Sequence, residues 1–210
     1  MGLGNWYEEH VVPRLIRCAC SGPAIMKLRE QVVPLAGGAV LELGCGGGLN
    51  QRFYDSARIS AYAGVDPSAK GLEFARMEAA RKGWSHDIRA GTGEAIPFLD
   101  DSFDCVVCTF TLCSVQDPGK SIAEMRRVLK PGGQLLFAEH GRAPDAKVAK
   151  WQARVEPVWK RIAGGCHLTR PVGEALAGHG FTLRPLGAAY VPKVPRIAGW
   201  MEWGVALKAG

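Results

Sequence analysis

The sequence has no apolar run long enough to cross a membrane. A membrane-spanning helix needs about 20 predominantly apolar residues, and every apolar stretch of this 210-residue chain stops well short of that length. The first residues also lack the features of a secretory signal. We therefore expect a cytoplasmic protein with no integral membrane segment.

The cysteines lack the pattern of a disulfide framework or a metal site. There are seven, and an odd number without a secretory signal indicates free thiols in a reducing compartment. Cys105 and Cys108 form a C-x-x-C motif, but within a strand this odd separation places two side chains on opposite faces. Cys18 and Cys20 have no second ligand pair nearby to complete a zinc site. We predict that the protein binds no metal.

Basic residues outnumber acidic ones, but they form no basic run interleaved with aromatic residues. Lys and Arg together number 26 against 20 for Asp and Glu, which gives a net charge of +6 and a pI near 9.0. This distribution is typical of a solvated basic surface rather than of a nucleic-acid interface. We expect a small-molecule partner and no nucleic acid.

From residue 39 onward, runs typical of strands alternate with runs typical of helices, without internal repeats. The predicted strands are 39–44, 61–66, 86–91, 103–109, 132–139, 181–190 and 199–208. The predicted helices are 48–57, 68–83, 118–130, 145–163 and a short one ending at Gly180. This order predicts a single α/β domain of the Rossmann-like, doubly wound class. Its seven-stranded sheet is mostly parallel, with an antiparallel C-terminal strand pair.

The first 38 residues are predicted to form helices, over residues 7–19 and 24–33. Apolar residues from Tyr7 to Ala19 recur at helical spacing, interrupted by Pro13. We interpret 1–38 as a helical lid, 39–140 as a cofactor-binding core and 141–210 as an acceptor-side helix with the last strands. Two alternatives stay open for 1–38: helices packed on the sheet edge, or an amphipathic surface for peripheral membrane contact.

The glycine turn after the first predicted strand has an unusual spacing. From Gly44 and Gly46, the third glycine of a dinucleotide fingerprint G-x-G-x-x-G falls on Leu49. What remains is an acidic-x-G-x-G-x-G pattern starting at Glu42, and Asp66 ends the next strand, where a carboxylate can hold ribose hydroxyls. The pattern predicts a site for S-adenosylmethionine. Glu42 would face its ammonium group, and the helix predicted at 48–57 would direct its amides at the carboxylate.

Two later motifs resemble the class I methyltransferases, particularly the ubiquinone and menaquinone methylases. The motifs are 91–98 (GTGEAIPF) and 124–133 (EMRRVLKPGG). Thr92 stands where that family commonly has an Asp near the adenine, so adenine contacts are expected from Gly93 and Glu94. The full set of predicted cofactor contacts is Glu42, Gly44, Cys45, Gly46, Gly48, Asn50, Asp66, Pro67, Gly93, Glu94, Thr109 and Cys113. S-adenosylhomocysteine would be the product.

A closer resemblance reaches almost to the C-terminus. The segments 108–116, 139–140, 151–160 and 165–170 are similar to the alkyl-thiol methyltransferases of the methyltransferase-like group. This resemblance implies a thiol or sulfide acceptor. Those enzymes carry an apolar N-terminal membrane anchor, and because we expect no such anchor here, their membrane location is not transferred to this chain.

The acceptor is expected outside the ends of the fourth and fifth strands. No acid precedes Asp117 there, which disfavours a magnesium site, and 109–112 lacks the Asp/Asn-Pro-Pro turn of base methylases. His140, His167 and Arg170 are the catalytic candidates for activating a thiol. We predict metal-independent S-methylation of a small thiol. The alternatives are C- or O-methylation of a quinone-like ring, N-methylation of a lipid headgroup, or a non-catalytic cofactor-binding module.

Overall fold

The computed structural model describes residues 20–209. Its strands are β1 Gly38–Leu43, β2 Ile59–Asp66, β3 His86–Ala90, β4 Phe103–Thr109, β5 Leu129–His140, β6 Phe181–Tyr190 and β7 Trp200–Lys208. Its helices are α1 Pro23–Val32, α2 Ala69–Arg81, α3 Pro118–Val128, α4 Ala146–Ile162, α5 Val172–Gly178 and α6 Arg196–Gly199. The helix predicted at 7–19 lies outside the described residues. None of the described helices is long and apolar enough to cross a membrane.

The seven strands form one sheet in the order β3-β2-β1-β4-β5-β7-β6. Strands β1 to β5 pair in parallel, whereas β7 is antiparallel to both β5 and β6. The predicted fold class is therefore confirmed. Because the strand order reverses between β1 and β4, their carboxyl ends border the crevice in which open α/β sheets bind ligands.

Two apolar layers cover the two faces of this sheet. On one face, Ile25, Leu28 and Val32 of α1 belong to the same buried cluster as Val40 of β1. On the other, the buried side of α3 joins Leu41 in the second cluster. Successive strand residues alternate between the faces, so Val40 and Leu41 enter different clusters. The apolar spacing of α1 therefore holds this helix against the sheet, where it contacts β5 and β7.

The helix predicted at 48–57 is wrong. Only a 3₁₀ turn, Gln51–Phe53, forms there. Gly47 and Gly48 have φ values of 93° and 62°, which a right-handed helix does not contain. Gln51 then donates to the Ala75 carbonyl at 2.8 Å, and Tyr54 is extended with its hydroxyl directed inward. These interior hydrogen bonds replace those of an α-helix, so no α-helical N-terminus follows the glycine turn.

The other boundaries follow the predictions with small shifts. The helix predicted at 68–83 ends at Arg81, and Gly83 follows it with a φ of 67°. The strand predicted at 132–139 begins earlier, at Leu129, because Leu129 already pairs with Phe103. The register of the pair then shifts before Gln134 pairs with Cys105, so the Pro-Gly-Gly segment is accommodated within the strand rather than preceding it.

Candidate functional site

Asp66 lies at the carboxyl end of β2 and is tied to the glycine turn. Its Oδ2 accepts a hydrogen bond from the Gly46 N–H at 2.9 Å, and its Oδ1 accepts one from the Ser68 N–H at 2.8 Å. Burial raises the pKa of Asp66, although these two backbone donors oppose the rise. A carboxylate has about four acceptor positions, so about two remain for the hydroxyls of a ribose. Asp66 is partly exposed and the adjacent Pro67 is exposed.

The glycines of the turn are required by close approaches of the backbone. A Cβ at position 46 would lie 2.5 Å from Asp66 Oδ2, and one at position 48 would lie 2.8 Å from Glu78 Cγ. A Cβ on Gly44 would clash with the Thr111 side chain, and Gly44 has a φ of 73°. The absence of side chains therefore lets the turn reach Asp66 and the chain that follows β4.

Glu42 faces the protein interior rather than the open end of the sheet. It is 2 % exposed, and its Oε1 accepts a hydrogen bond from Asn50 Nδ2 at 3.0 Å. The hydroxyls of Tyr54 and Tyr62 donate to Oε2 at 2.9 and 2.8 Å. Burial raises the pKa of Glu42 against the effect of these donors. In this arrangement Glu42 orients Asn50, and its described hydrogen bonds all stay within the protein.

Arg29 is a site residue that the sequence reasoning missed. Its Nη1 donates to Asn50 Oδ1 and to Thr109 Oγ1, both at 2.6 Å. Its guanidinium carbon lies 4.8 Å from the centre of the Phe110 ring. The side chain is 5 % exposed, and its Nε has no hydrogen-bond partner among the described residues. Burial lowers the pKa of Arg29. A buried cation whose Nε–H has no described partner therefore lies beside the end of β4.

A signal for Arg29 was present in the spacing of α1. Ile25 and Val32 lie four residues before and three residues after it, and both are buried. Position 29 is therefore on the apolar face, where an arginine needs polar partners. Its neighbour Lys27 is exposed.

Three other predicted cofactor contacts have structural roles in this arrangement. Cys45 is fully buried in the apolar layer that contains α1, and burial raises the pKa of its thiol. Glu94 Oε1 accepts hydrogen bonds from the backbone N–H groups of residues 116 and 117 at 2.7 and 3.1 Å. A Cβ on Gly93 would lie 2.7 Å from Ser121 Oγ. Gly93 and Glu94 therefore attach the segment after β3 to the start of α3.

Glu139 organises the turn that follows β4. It is fully buried near the end of β5, and its Oε1 accepts hydrogen bonds from the N–H groups of Thr111 and Leu112 at 2.8 and 3.0 Å. The Cys113 N–H donates to its Oε2 at 3.4 Å. Burial raises the pKa of Glu139 to about 7, against the opposing effect of these donors. One carboxyl group thus holds three successive amides of the turn.

His140, Cys113 and Cys166 meet at the end of β5. His140 is 5 % exposed, and its Nδ1 lies 3.7 Å from Cys166 Sγ. The Cys113 thiol lies close enough to the Cys166 thiol for each to shift the pKa of the other. The Nε2 atom of His140 is buried and has no partner among the described residues. The structure therefore brings together His140, a predicted catalytic residue, and Cys113, a predicted cofactor contact. Cys166, which lies beside them, was not predicted as a site residue.

His167 and Arg170 lie in the segment between α4 and α5. The Nδ1 of His167 is 3.0 Å from Glu156 Oε1, and its N–H donates to the Cys113 carbonyl at 2.7 Å. Arg170 donates to the carbonyls of Leu112 and Val115, the second at 2.6 Å. Burial lowers the pKa of Arg170. Both residues therefore contact the turn after β4: His167 through its backbone, and Arg170 through its side chain.

Glu156 holds this segment from the side of α4. Burial alone would raise its pKa, but hydrogen bonds from Thr169 and His167 outweigh it, so the pKa lies below its usual value. The Thr169 N–H and hydroxyl donate to Glu156 Oε2 at 2.9 and 2.7 Å.

Within residues 20–209, no three His, Cys, Asp or Glu side chains are arranged to hold a metal ion.

Comparison with known sequences identifies a methyltransferase family. A family model described as a methyltransferase domain matches residues 41–137. The thiol S-methyltransferase TMT1B of Rattus norvegicus is 44% identical over 136 residues, which are 62% of this chain and 54% of the rat protein. TMT1B of Homo sapiens is 38% identical over 171 residues, 77% of this chain and 69% of the human protein. The chain thus matches between 54% and 69% of the length of these two relatives.

The structural comparison supports the same fold. A putative methyltransferase from Bacillus halodurans superposes with a TM-score of 0.70 at 19% identity, over 88% of this chain and 99% of that one. The donor residues fit S-adenosylmethionine at two points: the acceptor positions that remain on Asp66, and the unpartnered buried Nε of Arg29. The strand order, the glycine turn and the matched domain place this chain among the class I S-adenosylmethionine-dependent methyltransferases, and it belongs to that family.

Proposed function

We propose that this enzyme transfers a methyl group to the sulfur of a small thiol and that it does so without a metal ion. The observation that carries this proposal is the His167–Glu156 pair beside the turn after β4, at a separation of 3.0 Å. The similarity to the two TMT1B thiol S-methyltransferases supports the choice of acceptor. Because the chain matches only part of their length, its acceptor is inferred from its own residues as well.

The donor end would be held by residues at the end of β2, in α1 and in the segment after β1. Asp66 binds the ribose hydroxyls, and Arg29, with Asn50 beside it, binds the carboxylate of the amino-acid tail. This assignment gives Arg29 the role that the missing helix at 48–57 was predicted to have. When bound, S-adenosylmethionine supplies an electrophilic methyl carbon on a positively charged sulfur.

His167 is the candidate base for the acceptor thiol. Its Nδ1 faces the Glu156 carboxylate, and with the Nδ1 proton donated to Glu156, Nε2 is left as a proton acceptor. A thiol has an ordinary pKa of about 8.5, so only a few per cent is ionised at neutral pH. Transfer of the thiol proton to Nε2 produces the thiolate, which is the reactive nucleophile. The His167 side chain is 30 % exposed, whereas His140 is buried, so His167 is the more accessible of the two histidines.

Arg170 and Glu139 serve a different purpose. Arg170 binds two carbonyls of the turn after β4, and Glu139 binds three of its amides. Neither side chain is directed at a separate acceptor by these contacts. We assign both as positioning residues that hold the turn in place while the acceptor is bound.

An acceptor panel tests the proposal. The purified protein is incubated with methyl-labelled S-adenosylmethionine and with a small alkyl thiol, its matched alcohol, a quinol or a headgroup amine. We expect labelled methyl thioether from the thiol and none from the alcohol, because an alcohol is far less acidic. Methylation of the quinol or the amine without methylation of the thiol would overturn the choice of acceptor. Calorimetry with S-adenosylhomocysteine tests separately whether the site binds its cofactor.

A further inference from the structure

The thiols of Cys113 and Cys166 are close enough to shift each other's pKa, although they lie on separate segments of the chain. Cys113 belongs to the turn after β4, and Cys166 to the segment between α4 and α5. Cys166 Sγ also lies 3.7 Å from His140 Nδ1. Neither cysteine is part of a disulfide. The methyl transfer proposed above uses neither thiol.

The backbone holds these two segments side by side. His167 directly follows Cys166, and its N–H donates to the Cys113 carbonyl at 2.7 Å. The three amides that bind Glu139 hold the segment that carries Cys113 in place. A disulfide requires two cysteine Cα atoms within about 7 Å and side chains that face each other. Two neighbouring thiols on segments joined by this backbone hydrogen bond need little movement to meet this requirement.

The two cysteines differ in accessibility and in acidity. Cys113 is 4 % exposed, and the Cys166 contact and burial both raise the pKa of its thiol. Cys166 is partly exposed, and its contacts with Cys113 and His140 lower the pKa of its thiol. An accessible thiolate is the species that oxidants attack, and a neighbouring thiol resolves the product. Cys166 is therefore suited to react first and Cys113 to react second.

We propose that Cys113 and Cys166 are a modification site at which a peroxide forms a reversible disulfide across the acceptor end of the enzyme. In the first step, Cys166 sulfur attacks one peroxide oxygen, the O–O bond breaks, and sulfenic acid and hydroxide form. In the second, Cys113 sulfur attacks the sulfenic sulfur, an S–S bond replaces the S–O bond, and hydroxide leaves. The two thiol protons end in two water molecules, and the peroxide takes up both electrons.

The disulfide would join the turn after β4 to the segment that carries His167. The formation of this bond does not depend on the proposed thiol acceptor. Only the effect of the disulfide on methyl transfer depends on the proposed acceptor, because the bond restrains both sides of the acceptor end. The chemical state of the cysteines and the rate of methyl transfer therefore need separate measurements.

Peptide mapping of the full-length protein tests the proposal. The protein is treated with about one equivalent of hydrogen peroxide, alkylated, digested and analysed by mass spectrometry. We expect a linked peptide pair containing Cys113 and Cys166, a loss of two free thiols per chain, and full recovery with dithiothreitol. The C166S variant should form no linked pair. The linked pair is identified in the wild-type protein, so the test remains valid even if the C166S variant fails to fold.

Cys20 provides the matched control, because its thiol is also close enough to Cys166 for the two charges to interact. The C20S variant should keep the Cys113–Cys166 pair. A wild-type linkage of Cys166 to Cys20 would overturn the proposal, as would sulfinic acid at Cys166 without a linked peptide, or six described cysteines that all resist the peroxide. If the linked pair forms and methyl transfer is unchanged, the disulfide does not restrain the acceptor end, and the proposal fails in that part.

Discussion

Replacement of Glu139 by glutamine should remove a pH dependence of folding stability that the wild-type protein shows. Burial raises the pKa of this carboxyl group from 4.5 to about 7. The folded protein therefore holds the proton more tightly than the unfolded chain does. Stability from this source is fully present below pH 4.5 and is lost as the pH rises through about 7.

The size of the stability change follows from the pKa shift of Glu139. One pKa unit corresponds to about 1.36 kcal/mol, so the rise from 4.5 to about 7 corresponds to about 3.4 kcal/mol. Glu139 is fully buried, so solvent screening does not reduce this value. Glutamine resembles the protonated carboxyl group in shape and charge, and it stays neutral throughout the range. The wild-type protein should therefore lose about 3 kcal/mol relative to E139Q between pH 4.5 and pH 7.5.

Urea unfolding at several pH values measures this difference. The quantity to plot is the free energy of unfolding of the wild-type protein minus that of E139Q, because Glu42 and Asp66 also have raised pKa values and contribute equally to both proteins. E174Q is the matched control, since Glu174 forms an exposed ion pair with Arg142. A flat difference curve for E139Q would refute the reasoning: the three backbone donors would then keep the carboxylate ionised despite its burial.

Three further predictions concern binding and turnover. Asp66→Ala should weaken S-adenosylhomocysteine binding by roughly 1.5–3 kcal/mol, the range for a lost hydrogen bond to a charged group; calorimetry measures it, and the exposed Asp55→Ala should have no effect. Arg29→Lys keeps the charge but loses the planar donor set, so affinity for the same ligand should fall about tenfold. Lys27→Ala, on the exposed side of α1, should bind normally, and equal affinities for the two variants would remove Arg29 from the site. His167→Gln should lower turnover by about 10² to 10⁴-fold with little change in cofactor affinity; a loss of affinity alone would contradict its role as a base.

The positions of the strands along the chain could be predicted because the signals for them are local. The apolar runs that became β1, β2 and β4 are short, and those of β2 and β4 end at a polar residue, Asp66 and Thr109. Strands buried on both faces of a parallel sheet have such continuous apolar runs. The glycine turn and the carboxylate that receives its N–H lie 20 residues apart, on consecutive elements. Reading along the chain is sufficient for this part of the site.

The errors have a common cause in side chains that bind distant backbone or distant residues. The segment at 48–57 has acceptable helix formers, but Gln51 bonds to a carbonyl of α2 and Asn50 bonds to Arg29 and Glu42. Such tertiary hydrogen bonds outweigh a weak local propensity. Arg29 was overlooked because its partners, Asn50 and Thr109, are 21 and 80 residues away.

The donor and acceptor ends of this enzyme therefore differ in how they are built. The family model matches residues 41–137, which include the glycine turn, Asp66 and the turn after β4. It stops before His140, Glu156 and the segment 165–170. Those residues reach the turn only through long-range contacts, such as the His167 N–H to the Cys113 carbonyl. Methyltransferases of this class share a donor, so one local pattern serves them all, whereas acceptors differ and need a part that can vary. We therefore propose that α4 and the segment after it determine the acceptor of this enzyme, so that substitutions there should change the acceptor without changing cofactor affinity.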